Sequence, residues 1–231
     1  MGIALFLRGD VKPLTAEWRL GFDRNRFRTL DPSLATDVHR EETARVGWTA
    51  KYGMDLDGVT PAELPPPPET GREVSVDTTK GTFRVATDRT AGGYCEEGTL
   101  EAGILRAAVS GSPATVYAIS LDDTPLRAAP RILVAHLTDA QRAETKFADP
   151  AMKVLLDWGK ANQMLMRPGR AEISLSLENP AAYAVWSLAI DGERRTKLPT
   201  RVENGRLAFT ADVASDPRSA TCAYEIVREA D

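Results

Sequence analysis

Four consecutive prolines, Pro65 to Pro68, constrain this chain more than any other feature of it. Proline fixes φ and lacks an amide donor, so such a run cannot occupy a helix interior or a central strand and forms a stiff polyproline II spacer. Thr60-Pro61 before it and Thr70-Gly71 after it widen the interruption. The run predicts a division into residues 1–70, an N-terminal segment ending in a proline-rich linker, and residues 71–231, a second unit. A ligand for a proline-recognition domain is the other use of such a run.

Upstream, Trp18, Leu20 and Phe22 alternate with polar or small residues, the period of a half-buried strand. Asp31-Pro32 has the form of an N-cap followed by a first-turn proline, and Leu34, Val38 and Val46 allow one short amphipathic helix. About 70 residues of such mixed α/β character make a weak independent core.

Downstream, the pattern becomes short β-type runs separated by turn residues. Expected strands are 73–77, 82–87, 100–109, 114–121, 131–137, 171–177, 182–190, 197–203, 206–210 and 221–228. Asn204-Gly205 is the strongest turn signal, because a two-residue type I′ hairpin requires positive φ at both positions. Strands joined by short turns pair antiparallel, so the expected fold is mainly β, an antiparallel β-sandwich preceded by the short mixed segment. Residues 151–166 fit neither period and read as a strand, a loop around Gly159 to Asn162, and a second strand. On the expected strand 182–190, Trp186 reads as core.

Charge excludes one class of function. The 29 Lys and Arg residues oppose 33 Asp and Glu, with 9 against 11 before residue 71 and 20 against 22 after it, so each part sums to −2. A nucleic-acid or anionic-membrane footprint would need a clustered cationic excess. The opening Met1 to Leu7 has five uninterrupted apolar residues, short of the roughly 7–15 of a signal-peptide core and the about 20 of a membrane span. Cys95 and Cys222 lack metal or redox spacing and read as two half-buried thiols.

No phosphate-binding glycine loop, nucleophile elbow or paired-histidine zinc motif occurs, and no cofactor or metal is implied. His136 ends an apolar strand near Asp139, which would orient it if it worked in a cleft; the plainer reading is a satisfied structural histidine. His39 falls on the charged face of the expected helix. The adjacent acids Glu41-Glu42, Glu96-Glu97 and Asp122-Asp123 point to opposite sides of a strand or form turns, so they do not converge on a substrate. Arg8-Gly9-Asp10 matches an adhesion tripeptide that is common by chance. Exposed aromatic rings can cover the apolar face of a sugar, and Trp48, Tyr52 and Trp158, which have polar neighbours, are the candidates for carbohydrate binding.

Several stretches in order resemble one group of enzymes. Leu5-Phe-Leu-Arg-Gly-Asp-Val-Lys-Pro resembles the segment near the end of the catalytic barrel in large bacterial clan A glycoside hydrolases. Gly81-Thr-Phe-Arg-Val-Ala-Thr-Asp-Arg-Thr, Tyr117-Ala-Ile-Ser-Leu-Asp-Asp-Thr-Pro-Leu, Arg131-Ile-Leu-Val-Ala-His-Leu-Thr-Asp and Ala223-Tyr-Glu-Ile-Val-Arg resemble the all-β domain that follows it. In that group the two catalytic glutamates lie upstream of the Arg-Gly-Asp-Val segment, so no catalytic residue carries over. The resemblance implies a non-catalytic C-terminal module bracing a barrel that this chain does not contain, with the barrel or a polysaccharide as partner. It also implies an orphaned docking face, with 18–22 as part of it, and hence self-association. Proteins of the group are often exported. The alternative is a carbohydrate-binding module using the three aromatics.

Overall fold

The structure is a computed structural model that describes Leu5, Arg8, Gly9 and residues 73–77, 81–150, 152, 154–216 and 219–229. The expected strand 18–22, the helix after Asp31, the proline run, His39, Trp48 and Tyr52 lie outside the described residues.

Seventeen strands are described: β1 (Val74–Asp77), β2 (Thr82–Ala86), β3 (Thr90–Cys95), β4 (Gly98–Ala102), β5 (Leu105–Ser110), β6 (Ala114–Ser120), β7 (Arg131–Leu137), β8 (Ala140–Arg142), β9 (Lys146–Phe147), β10 (Leu155–Asp157), β11 (Met164–Met166), β12 (Arg170–Leu175), β13 (Tyr183–Leu188), β14 (Arg194–Leu198), β15 (Arg201–Glu203), β16 (Arg206–Asp212) and β17 (Ala223–Arg228). They form an eight-stranded sheet of order β1-β2-β3-β6-β7-β17-β13-β14, a five-stranded sheet of order β15-β16-β12-β5-β4, and two small ribbons, β8 with β11 and β9 with β10. The pairings are antiparallel throughout. The class is mainly β, as expected.

The two large sheets face each other across one core. Strand alternation places Leu105, Ala107, Val109, Ala171, Ile173, Leu175, Leu207, Phe209 and Ala211 on the inner face of the smaller sheet. Val116, Ala118, Ile132, Val134, Val185, Tyr224 and Ile226 oppose them from the larger sheet. Phe209 and Tyr224 meet between the layers with ring centroids 5.6 Å apart at 56°, an orientation that suits the ring quadrupoles. The outer face of the small sheet is ionic: Glu172 accepts from Arg170, Arg201 and Thr210.

Three expectations change, and strand β3 is an addition to them. The run 100–109 is not one strand but the β4–β5 hairpin, turning at Gly103 with φ +52 and pairing Ala102 with Leu105. The run 197–203 divides at Pro199, so β14 ends the large sheet while β15 begins the small one. Strand β3 carries Gly92 and Gly93, which depress strand propensity. Both glycines are required, since a Cβ on either would strike the backbone of a neighbouring strand, at Val116 and Phe83 respectively. Trp186 is not core: Tyr183, Val185 and Ser187 point inward, and Trp186 lies half-buried on the outer face beneath Arg194 and Lys197. The Asn204-Gly205 hairpin forms as read, with φ +50 and +72 and Glu203 opposite Arg206.

Candidate functional site

Between β7 and β12 the chain leaves the sandwich and returns, and the excursion from Thr138 to Pro168 forms an arm built of the two ribbons. Its root is tied by Thr138 Oγ1 donating to the Arg167 carbonyl at 2.7 Å, Arg167 N donating to the Asp139 carbonyl at 2.8 Å, and an Asp139–Arg167 ion pair at 3.2 Å. Further out, Lys160 N donates to Ala143 O at 2.7 Å and Ala143 N to Gln163 O at 2.8 Å. These bonds join the two ribbons at the Trp158-Gly159 turn. Gly159 N also donates to Asp157 Oδ1 at 3.0 Å, and Thr145 Oγ1 donates to the Trp158 carbonyl at 3.3 Å.

The arm carries an unusual surface. Eleven large apolar side chains are exposed among the described residues, and six of them, Met152, Val154, Leu156, Trp158, Met164 and Leu165, belong to it. Leu156 is 66% exposed and Trp158 68%. Single exposed apolar residues are ordinary, but six on one short arm are a concentration of the kind that interaction surfaces show. The Arg142 guanidinium carbon stands 5.8 Å from the centre of the Trp158 ring. Arg142 also lines an open cleft of about 350 Å³ with Gln141, Glu144, Thr145 and Asp139. A second cleft of about 370 Å³, on the other side of the Asp139–Arg167 pair, is lined by Tyr94, Pro113, Leu137 and Met152.

Of the three aromatic candidates, the structure describes Trp158 alone, and it is the most exposed of the arm's apolar residues. None of the arm's other exposed apolar residues was a site candidate from the sequence. The available signal was the density of Met, Leu and Val in a segment that fits neither strand nor helix period, since side chains that fit no core have no periodic face to obey.

The other described candidates occupy packing or turn positions. His136 is fully buried on the inner face of β7, and neither ring nitrogen has a hydrogen-bond partner among the described residues, where a satisfied histidine was expected. Burial pushes its pKa below the ordinary histidine value, with Asp212 opposing. Asp139 does not orient it and is engaged by Arg167 and Gln141. Asp122 forms a turn, its carboxylate accepting from Thr124 N at 2.8 Å and from Ser120 Oγ at 3.1 Å. Arg8 donates from Nη1 to the Ser120 carbonyl at 2.8 Å. Cys95 is buried, Cys222 is half-buried, and both are free thiols.

Two carboxylates are held by several cations or donors each. For Glu225, burial would raise the pKa, but hydrogen bonds and charge from Arg194 and Arg131 outweigh it and hold the group below the ordinary range. For Glu172 the same balance against burial is set by Arg201, Thr210 and Arg170. A general acid needs the opposite shift. Among the described residues no three His, Cys, Asp or Glu side chains lie close enough to hold a metal, and no helix is long and apolar enough to cross a membrane.

Comparison with protein families, with curated proteins and with solved structures returns no match.

Proposed function

We propose that this chain is a non-catalytic β-sandwich module of a glycoside hydrolase that braces a catalytic barrel, with the β8–β11 arm as a contact surface for it. The observation that carries this reading is the arm: six exposed apolar side chains mounted on a hydrogen-bonded base at one border of the sandwich. Exposed Leu, Met and Trp lose unfavourable contact with water when a partner covers them, at about 25 cal/mol per Å². The ordered resemblance to the region around and after the barrel in clan A enzymes supports a barrel as the partner.

The purified chain is expected to turn over no member of a panel of aryl glycosides and polysaccharides. Hydrolysis abolished by a single Asp or Glu substitution would overturn the reading.

One observation favours the second reading, a carbohydrate-binding module. Trp158 stands exposed, and the polar cleft of Gln141, Arg142 and Glu144 is joined to it through Arg142. Electrophoresis through gels containing neutral polysaccharides separates the two: retardation lost in Trp158→Ala supports carbohydrate binding, and unretarded migration in all gels removes it.

A further inference from the structure

We propose that the outward face of the large sheet across β7, β17, β13 and β14 binds a carboxylate-bearing polysaccharide, with Arg131, Arg194 and Lys197 as its cationic contacts. The inference rests on the carbohydrate setting proposed above but uses a different surface from the arm.

The register lines up the group. Trp186 on β13 faces Lys197 on one side and Glu225 on the other, and Glu225 faces Leu133 on β7. From diagonal positions, Arg131 donates Nε and Nη2 to Glu225 Oε1 at 2.8 and 2.6 Å, and Arg194 donates Nε to Oε2 at 2.6 Å. The Glu225 side chain is 5% exposed, while those of Arg131, Arg194 and Lys197 are 59%, 44% and 49% exposed. The anion lies below and the cations above it. Arg194 passes over the Trp186 ring with its guanidinium carbon 5.5 Å from the centroid, and Lys197 Nζ is 6.0 Å from the same centroid.

Two guanidiniums share one carboxylate, so that trio keeps a positive charge, whereas Lys197 is matched by Glu229 at 2.5 Å. Arg131 Nη1 and both terminal nitrogens of Arg194 have no hydrogen-bond acceptor among the described residues. As a stabilising device a buried carboxylate under two arginines is poor, because desolvation offsets the attraction. What it does well is fix two flexible guanidiniums before a ligand arrives, which removes much of the ordering cost of binding. Planar guanidinium donors match a carboxylate, and half-buried Leu133, on the same face as Arg131, adds apolar surface beside them.

Charge spacing selects the class of polymer. Arg131 and Arg194 converge on one carboxylate and Lys197 shares the Trp186 ring with Arg194, so the positive charge is one compact cluster. That suits a chain with one carboxylate per ring, whereas duplex nucleic acid presents a charge every ~1.7 Å.

The test is affinity electrophoresis and calorimetry of the whole chain with polygalacturonate, its fully methyl-esterified form, and heparin. Polygalacturonate is expected to bind with an affinity that falls as salt rises, and the ester is expected not to bind. Arg194→Gln combined with Lys197→Gln should weaken binding about tenfold. Lys197→Gln alone, which leaves both arginines on Glu225, should weaken it by a smaller factor without lowering Tm. Trp158→Ala should leave binding unchanged. No binding of polygalacturonate, equal binding of the ester, parental affinity in both variants, or tighter binding of heparin overturns the site. Such a failure together with absent hydrolysis would overturn this site alone and leave the bracing-module reading in place.

Discussion

A Cβ placed on Gly159 would fall on the carbonyl oxygen of Ala143, with Thr145 N only 2.6 Å away. The residue is also at φ +66, a conformation side chains other than glycine rarely adopt. Both conditions hold at the turn that presents Trp158. Gly159→Ala is therefore expected to loosen the arm by about 1–3 kcal/mol while leaving the sandwich intact. Limited proteolysis should show new cleavage between residues 143 and 163 at an unchanged Tm; a proteolytic pattern identical to the parent would contradict the tight approach.

Phe209 joins the layers through Tyr224, and both are fully buried. Phe209→Ala removes a large ring that neighbours on two facing sheets cannot collapse to replace. The expected loss is ~3–5 kcal/mol, read from urea denaturation. A loss below 1 kcal/mol would mean that the layers repack freely.

His136 gives the fold a pH dependence of known sign. Burial lowers its folded pKa below the unfolded value of about 6.5, so between those two values the unfolded chain binds more protons. Stability rises with pH through that window and levels off above ~6.5. Urea midpoints should fall between pH 7 and pH 5, and His136→Leu should flatten that part of the profile. At pH 7 the same substitution removes two unpartnered nitrogens and is expected to be neutral or stabilising by up to ~1 kcal/mol. An unchanged slope in the variant would place the titration elsewhere.

The exposed leucines of the arm predict association when no partner covers them. Sedimentation velocity is expected to show concentration-dependent self-association that is reduced by Leu156→Ser with Leu165→Ser, both on the surface and so nearly neutral for stability. A concentration-independent monomer would count against the arm as a docking surface.

What the sequence disclosed follows from which signals are local. The Asn204-Gly205 turn was legible because its backbone conformation depends on those two residues alone. The strand of Thr90 to Cys95 was not, because Gly92 and Gly93 answer to backbones more than twenty residues away at Val116 and about ten away at Phe83. Trp186 was assigned to the wrong side because β13 is apolar on both, Ala184 and Leu188 being buried on the outer face as well. Alternation then gives two faces but does not say which is inner. The Glu225 trio was invisible for the same reason: Arg131 and Arg194 lie far from it in the chain and meet it only through pairing of four strands. Trp158 could be picked out by its polar neighbours, but the exposure of Leu156, Met164 and Leu165 follows from the chain leaving the sandwich between β7 and β12, which no local pattern encodes.

Strand β17 lies between β7 and β13, although it is the last described strand in chain order. Until it is in place, the large sheet consists of a five-stranded piece and a two-stranded piece with no hydrogen bonds joining them. On the ribosome, then, the sheet cannot close until nearly all of the described chain has emerged, and the inner edges of β7 and β13 stay open to other strands meanwhile. Such late, long-range closure places folding in the slow regime of non-local topologies, and it makes residues 223–228 the segment on which chaperone dependence and yield should turn.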